Sequence, residues 1–295
     1  MPTPSQRTAL LVLGMHRSGT SLLTRILSLL GADLPSNLAP PNPGNEAGYW
    51  ESLTLNALHE EIFNALSLSW DSLAPIPDRW FTTSHAAAHQ QKIANFLQTE
   101  FPTSPLFVLK DPRMSRLLPL WTKPLADANI RPICLLTLRN PLEVAASLER
   151  LYPILPQHAH LLWLRYTLDA ERHSRSLPRC VISYDDLLSD WPAPITRLAE
   201  LTGLQFPRPL TDAAPQIQSA LAPRIRHFRI TPALLEADPS IIWWVKSLYA
   251  AHQTAARTPA SADLPTLSDQ LHKLATDAHL AYGPLLTHLP SHPHS

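Results

Sequence analysis

The chain has 295 residues, 45 % of them hydrophobic, and its 24 basic and 24 acidic side chains cancel to a formal net charge of zero at pH 7. That length supports one large core, or a core with a helical annex, and the balanced charge excludes a protein built to coat nucleic acid or an anionic membrane. No run reaches the ~18 apolar residues of a membrane span, and Leu10 to Leu13 is too short for a signal-peptide core, so the expectation is a cytoplasmic protein with no integral membrane segment.

The run Thr8 to Gly14 is apolar, ends at glycine and reads as a buried parallel strand. The next stretch, "GMHRSGTSLLTRIL", nearly spells a phosphate loop of the form GxxxxGKS/T, with Thr20 where the lysine belongs. From Ser21 onward Leu22, Leu23, Ile26, Leu27, Leu29 and Leu30 recur at helical spacing, and Gly31 stands where a C-terminal cap is expected. Gly14 and Gly19 let the backbone wrap an anion at the helix N-terminus. Arg17 places a guanidinium fork inside the loop instead of a lysine point charge. A donor less charged than a triphosphate, with no metal, suits that arrangement, since triphosphate sites rely on the lysine and Mg²⁺ together.

Proline numbers 31, at least twice ordinary usage, and marks loops. "LAPPNPGNEAGYW" and "DSLAPIPDRWFTTS" read as ordered connections flanking a helix that Glu51 opens, with Leu55, Leu58, Ile62, Ala65 and Leu66 on one face. The region at about 35–85 is a candidate lid, and Trp50, Trp70 and Trp80 within it either line a groove or anchor the loops. His85 and His89 share a helix face but have no third ligand nearby and no HExxH pattern, so no metal site is expected.

Leu106 to Leu109 is a strand with Lys110 at its carboxyl end, before an Asp111-Pro112 turn in which Asp111 reads as a helix cap. Arg113 either adds charge there or is a solvated helix-start arginine. Ile133 to Leu138 is a further strand ending at Arg139, and Asn140, Pro141 and Glu143 then fill the N-cap, N1 and N3 places of a helix carrying Ser147. Ligands in open α/β sheets gather at the carboxyl ends of the strands, where Lys110 and Arg139 both stand. Arg179 to Ser183 is a fourth strand, followed by Tyr184-Asp-Asp-Leu-Leu and a helix at about 194–201. Cys134 and Cys180 fall in these buried strands and are expected to be reduced core residues. Beyond Gly203 the chain reads as mostly helical. Its basic cluster "PRIRHFR", with Arg224, Arg226 and Arg229, either closes over phosphates or is a solvated turn.

The blocks "HRSGTS", "NPGNEAGYWES", "LKDPRMSRLLPLW" and "LRNPLEVAASLERLY" together resemble the sulfotransferases that use 3′-phosphoadenosine 5′-phosphosulfate (PAPS), over about Leu10 to Asp186; the last hundred residues match only loosely. The resemblance implies an α/β fold, a P-loop-containing three-layer sandwich with a central parallel sheet of at least four strands and a helical C-terminal annex. Residues 1–295 then form a single domain, with the α/β core at 1–205 and the annex at 206–295. It further implies that His16, Arg17, Ser18, Gly19, Thr20 and Ser21 bind the 5′-phosphosulfate, that Arg139 and Ser147 grip the 3′-phosphate, and that Lys110 touches the transferred group. A glutamate serves as base, Glu51 being preferred to Glu46 because "GYWE" is more like the family pattern. The acceptor would be a small molecule, carbohydrate or peptide bearing a hydroxyl or amine. The residues alone leave two rivals open, a small-molecule kinase with a degenerate loop and a non-catalytic module binding adenosine 3′,5′-bisphosphate (PAP), and they leave the oligomeric state open.

Overall fold

The computed structural model describes residues 6–41, 48–221, 230–258 and 263–286, with side chains as far as 283. Glu46 and the cluster Arg224, Arg226 and Arg229 lie outside the described residues. The strands are β1 (Arg7–Leu13), β2 (Leu106–Lys110), β3 (Ile130–Leu138) and β4 (Arg179–Ser183), all parallel, in the order β2-β1-β3-β4.

Apolar runs without alternation form these strands because both faces of the sheet are covered. Successive residues therefore feed two different cores. Ala9, Leu11 and Leu13 of β1 join Phe107, Leu109, Leu136 and Val181 on one face, while Leu10 and Val12 join Val108, Leu135 and Ile182 on the other. The second core is closed by α1 (Thr20–Leu29), α7 (Tyr184–Asp190), α8 (Pro192–Thr202) and α9 (Leu210–Ala220). The first is closed by α2 (Leu53–Ala65), α3 (Ser84–Glu100), α4 (Met114–Asp127), α5 (Pro141–Glu149), α6 (Pro156–His173) and α11 (Trp243–Arg257). The result is a three-layer sandwich. Short α10 (Pro232–Ala237) precedes α11, and α12 (Asp263–Leu286) packs on α6 and α11. The C-terminal helices are continuous with both layers, since α9 rests on α1 and α11 covers β4.

Cys134 pairs across β3 and β4 with Arg179, and Leu135 with Cys180, so the two cysteines face opposite cores. Both are free thiols, and burial pushes Cys134 up to about 12. Among the described residues no helix is long and apolar enough to cross a membrane.

Two local readings of the sequence need correction. Glu51 does not open α2: Ser52 is the N-cap, its hydroxyl accepting from the Leu55 N–H at 3.2 Å, and Glu51 lies one residue earlier in extended chain. There its carbonyl accepts from the Ala39 N–H at 2.7 Å, beside an antiparallel bridge from Leu38 to Ser52. At α5, Asn140 caps as expected by accepting from the Leu142 N–H at 3.0 Å, but the Glu143 carboxylate is committed to tertiary partners. One oxygen takes the Arg139 Nε at 2.9 Å and the other the Ile230 N–H at 2.6 Å, while Asn140 Nδ2 donates to the Ile230 carbonyl at 3.2 Å.

Candidate active site

The parallel sheet delivers the carboxyl ends of β1, β2 and β3 to one edge. Register places Lys110 beside Val12, and the loop 14–19 rises from the end of β1 between β2 and β3. The order reverses around β1, which puts a crevice at this edge. A cleft of about 100 Å³ opens there, lined among others by His16, Arg17, Gly19, Thr20, Ser21 and Glu51, together with Lys110, Arg139 and three tyrosines.

The loop is held tightly beneath the cleft. The Gly14 N–H donates to Ser115 Oγ at 2.8 Å, and Thr137 Oγ1 donates to the Leu13 carbonyl at 2.9 Å. A Cβ at Gly14, where φ is +143°, would stand 2.1 Å from Thr137 Oγ1, and one at Gly19, where φ is +89°, would stand 2.4 Å from the Tyr184 ring. Only glycine fits either place without displacing a neighbour. Gly19 is also the N-cap of α1 and offers no side chain to the first-turn N–H groups, which leaves them oriented as an anion site requires.

Arg17 adopts φ +69°, a left-handed conformation that costs a non-glycine residue on the order of 1 kcal/mol and is held only by its surroundings. Ser147 and Arg139 are among the residues that hold it. Its Nε donates to Ser147 Oγ at 2.9 Å, and its carbonyl accepts from Arg139 Nη1 at 2.8 Å. Burial first, and Arg139 after it, pull the Arg17 guanidinium below its ordinary basicity. Arg139 is itself fixed by Glu143 and by stacking 4.6 Å over the Tyr184 ring. Ser147 therefore stands behind Arg17, and its hydroxyl hydrogen is left to donate because the oxygen already accepts. Ser18 differs from its neighbours: its side chain is 1 % exposed, and the cleft is lined by the loop residues on either side of it.

Lys110 and Glu51 form a buried ion pair on the floor of the cleft, and Asn56 Nδ2 donates to the second Glu51 oxygen at 3.0 Å. Beneath them Asp111 is fully buried. Its carboxylate accepts from the Arg113 N–H at 2.9 Å, from Arg113 Nη1, and from His59 Nδ1 at 2.9 Å, while Trp121 Nε1 donates to His59 Nε2 at 3.1 Å. Burial works against the Asp111 charge, but Arg113 and His59 outweigh it and hold the carboxyl below the usual range. Asp111 is therefore not the cap of α4, whose N-cap is Arg113 with no side-chain cap hydrogen bond; its carboxylate instead anchors Arg113, which reaches on to Glu60 at 2.7 Å and is not a solvated arginine.

His16 lies against Trp70 and Tyr166, with ring centroids 5.0 and 5.9 Å away. Burial, then Arg113, lowers it from 6.5 to about 3, so it is a neutral imidazole at pH 7, and its Nε2 has no hydrogen-bond partner among the described residues. Of the three tryptophans, Trp70 backs His16 and Tyr152, Trp80 packs on Phe81 and His89, and Trp50 receives the Arg25 guanidinium at 4.5 Å.

Sequence reasoning missed the aromatic walls, Tyr49, Tyr152 and Tyr184, and the His59–Asp111 support. Tyr184 follows a strand end and Tyr49 stands in the quoted "GYWES" block, so position alone could have marked those two. Tyr152 likewise ends the quoted "LRNPLEVAASLERLY" block, whereas His59 carries no local signal.

The arrangement can hold a multiply charged anion on two guanidiniums, an ammonium and helix-start N–H groups, and it presents one carboxylate and one neutral imidazole to whatever enters beside that anion. No protein-family model and no curated protein matches this chain. Among solved structures it is similar to the sulfotransferase domain of the Synechococcus PCC 7002 olefin synthase, at 20 % identity and a TM-score of 0.47, over 92 % of this chain and 96 % of that one. It is also similar to the sulfotransferase domain of the curacin biosynthetic pathway, at 17 % identity and a TM-score of 0.41, over 90 % of this chain and 98 % of that one.

Proposed function

We propose that this protein moves a sulfuryl group from PAPS to a hydroxyl or amine acceptor. The observation that carries the reading is the convergence of Arg17, Lys110 and Arg139, from the ends of three adjacent strands, on a glycine-bounded loop with Glu51 at its side. A loop with arginine inside and threonine in the lysine's place suits a donor whose transferred group carries one negative charge, where a terminal phosphoryl carries about two.

The loop N–H groups and Arg17 hold the 5′-phosphosulfate, and Arg139 with the Ser147 hydroxyl holds the 3′-phosphate. Lys110 exchanges Glu51 for the donor's anionic oxygens, which frees the carboxylate. Glu51 then takes the acceptor proton as the acceptor's oxygen or nitrogen bonds to sulfur and the bond from sulfur to the 5′-phosphate oxygen breaks. Arg17 and Lys110 stabilise the charge left on that oxygen. Alignment and preorganised charge supply the acceleration, as in other loose in-line transfers. The acceptor belongs to the small-molecule, carbohydrate or peptide class, and the tyrosines around the cleft offer it stacking faces.

The test is a titration with PAP alongside ATP with Mg²⁺, followed by transfer of labelled sulfate from PAPS. PAP binding that is weakened at least about tenfold by Arg139→Ala, the scale of a lost charged hydrogen bond, supports the reading. Binding of ATP with Mg²⁺ in preference to PAP would replace it with the kinase reading.

A further inference from the structure

A second cavity, of about 200 Å³, lies between α6, α11, α12 and the 70–76 loop, away from the strand ends. Leu73, Leu161, Leu164, Trp244 and Ala275 make apolar walls, and Arg165, His279 and the Tyr282 phenol are its polar groups. It exceeds the ~150 Å³ of an apolar cavity that takes up benzene.

Arg165 gives the cavity a chemical preference. It is 4 % exposed, and its Nη1 is 3.6 Å from Asp169 Oδ1, beyond hydrogen-bond length, with no hydrogen-bond partner among the described residues. Asp169 already serves Arg116, whose Nε donates to Oδ2 at 3.2 Å and whose Nη1 reaches the Ser72 carbonyl at 2.8 Å. Two buried guanidiniums therefore share one buried carboxylate. Among the other titratable neighbours, His173, His272 and His279 are each lowered first by burial and so neutral at pH 7, burial pushes the Tyr166 phenol up and keeps it neutral, and Arg172 is paired with Asp78. A surplus of one positive charge stays buried at the wall of an apolar cavity, with a donor unsatisfied, and such a surplus is costly unless an anion completes it.

We propose that this cavity binds a small amphiphile bearing a single carboxylate, its alkyl or aryl body against Leu73, Leu161, Leu164 and Trp244 and its carboxylate on Arg165. A monoanion cancels the surplus of one, and the planar carboxylate matches the guanidinium fork. The reading is independent of what the loop cleft binds.

Calorimetry on the whole chain with octanoate, octan-1-ol and octylamine tests it. Octanoate is expected to bind at least about tenfold more tightly than octan-1-ol, octylamine not at all, and saturating PAP is expected not to displace octanoate. Arg165→Met should bring octanoate down to the octan-1-ol level. Ala278→Trp, which fills the cavity and leaves the charges alone, should abolish binding of both and keeps the test decisive if the arginine variant fails to fold. Absence of heat with octanoate, equal affinity for the acid and the alcohol in the wild type, unchanged octanoate binding in Ala278→Trp, or displacement by PAP would each overturn the proposal.

Discussion

Glu51→Gln separates the roles of the buried pair. The substitution keeps the shape of the side chain and an oxygen for Asn56, but leaves the Lys110 ammonium facing a neutral amide. The two side chains are 1 % and 11 % exposed, so water does little to screen the loss. Breaking a buried pair by removing one partner costs ~3–5 kcal/mol, and the residual exposure of Glu51 argues for the lower end, about 3 kcal/mol. At ~2–4 °C per kcal/mol for a chain of this size class, the melting temperature should fall by roughly 6–12 °C. Turnover should fall by ~10²–10⁴-fold, the range for loss of a general base. PAP should restore more of the melting temperature in the variant than it adds to the wild type, because its phosphate gives Lys110 a new partner. Glu51→Gln/Lys110→Met should recover most of the lost stability, since both charges are then gone. Differential scanning fluorimetry and initial-rate sulfate transfer read these effects. Wild-type turnover in Glu51→Gln would refute the base, and an unchanged melting temperature would refute the energetic reading of the pair.

Gly19→Ala places a methyl 2.4 Å from the Tyr184 ring at φ +89°, so about 1–3 kcal/mol of strain is expected, together with weaker PAP binding as Tyr184 shifts beneath Arg139; unchanged calorimetric affinity would count against the loop as the anion cradle. His252 is buried, donates Nδ1–H to the Leu248 carbonyl at 2.9 Å, and is lowered mainly by burial from 6.5 to about 4. Its unfolded form takes a proton first on acidification, so its stabilisation is whole above pH 6.5 and is lost as pH falls toward 4, by up to about 3 kcal/mol at 1.36 kcal/mol per unit. Denaturant melts across that interval should show a shallower decline for His252→Leu, and an identical slope would reject the assignment.

Strand ends and the loop were legible in the sequence because their causes are local. A run such as Leu106 to Lys110 states its own burial, and a glycine before a helix states its own geometry. Lys110 and Arg139 could be assigned to one edge because parallel strands leave a single edge for their carboxyl ends. The partners of these groups were not legible. Glu51 meets Lys110 across 59 residues and Arg17 meets Ser147 across 130, and nothing in either segment names the other. Helix α6 was overlooked for a related reason. It is buried on several sides, against α4, α5 and α12, so its residues form no single apolar stripe, and nothing local marks the polar ones, Arg165 and Asp169, as buried.

Ile230 holds both of its backbone groups against the start of α5, the N–H on Glu143 and the carbonyl on Asn140. The same Glu143 carboxylate sets the angle of Arg139, which in turn carries the carbonyl of Arg17. A shortened version of the chain that stopped after α9 would keep every residue of the loop motif and still lose a fastener behind it. Such a truncation would show as slackened grip on the proposed nucleotide, even though no side chain among the described residues beyond α9 lines the crevice.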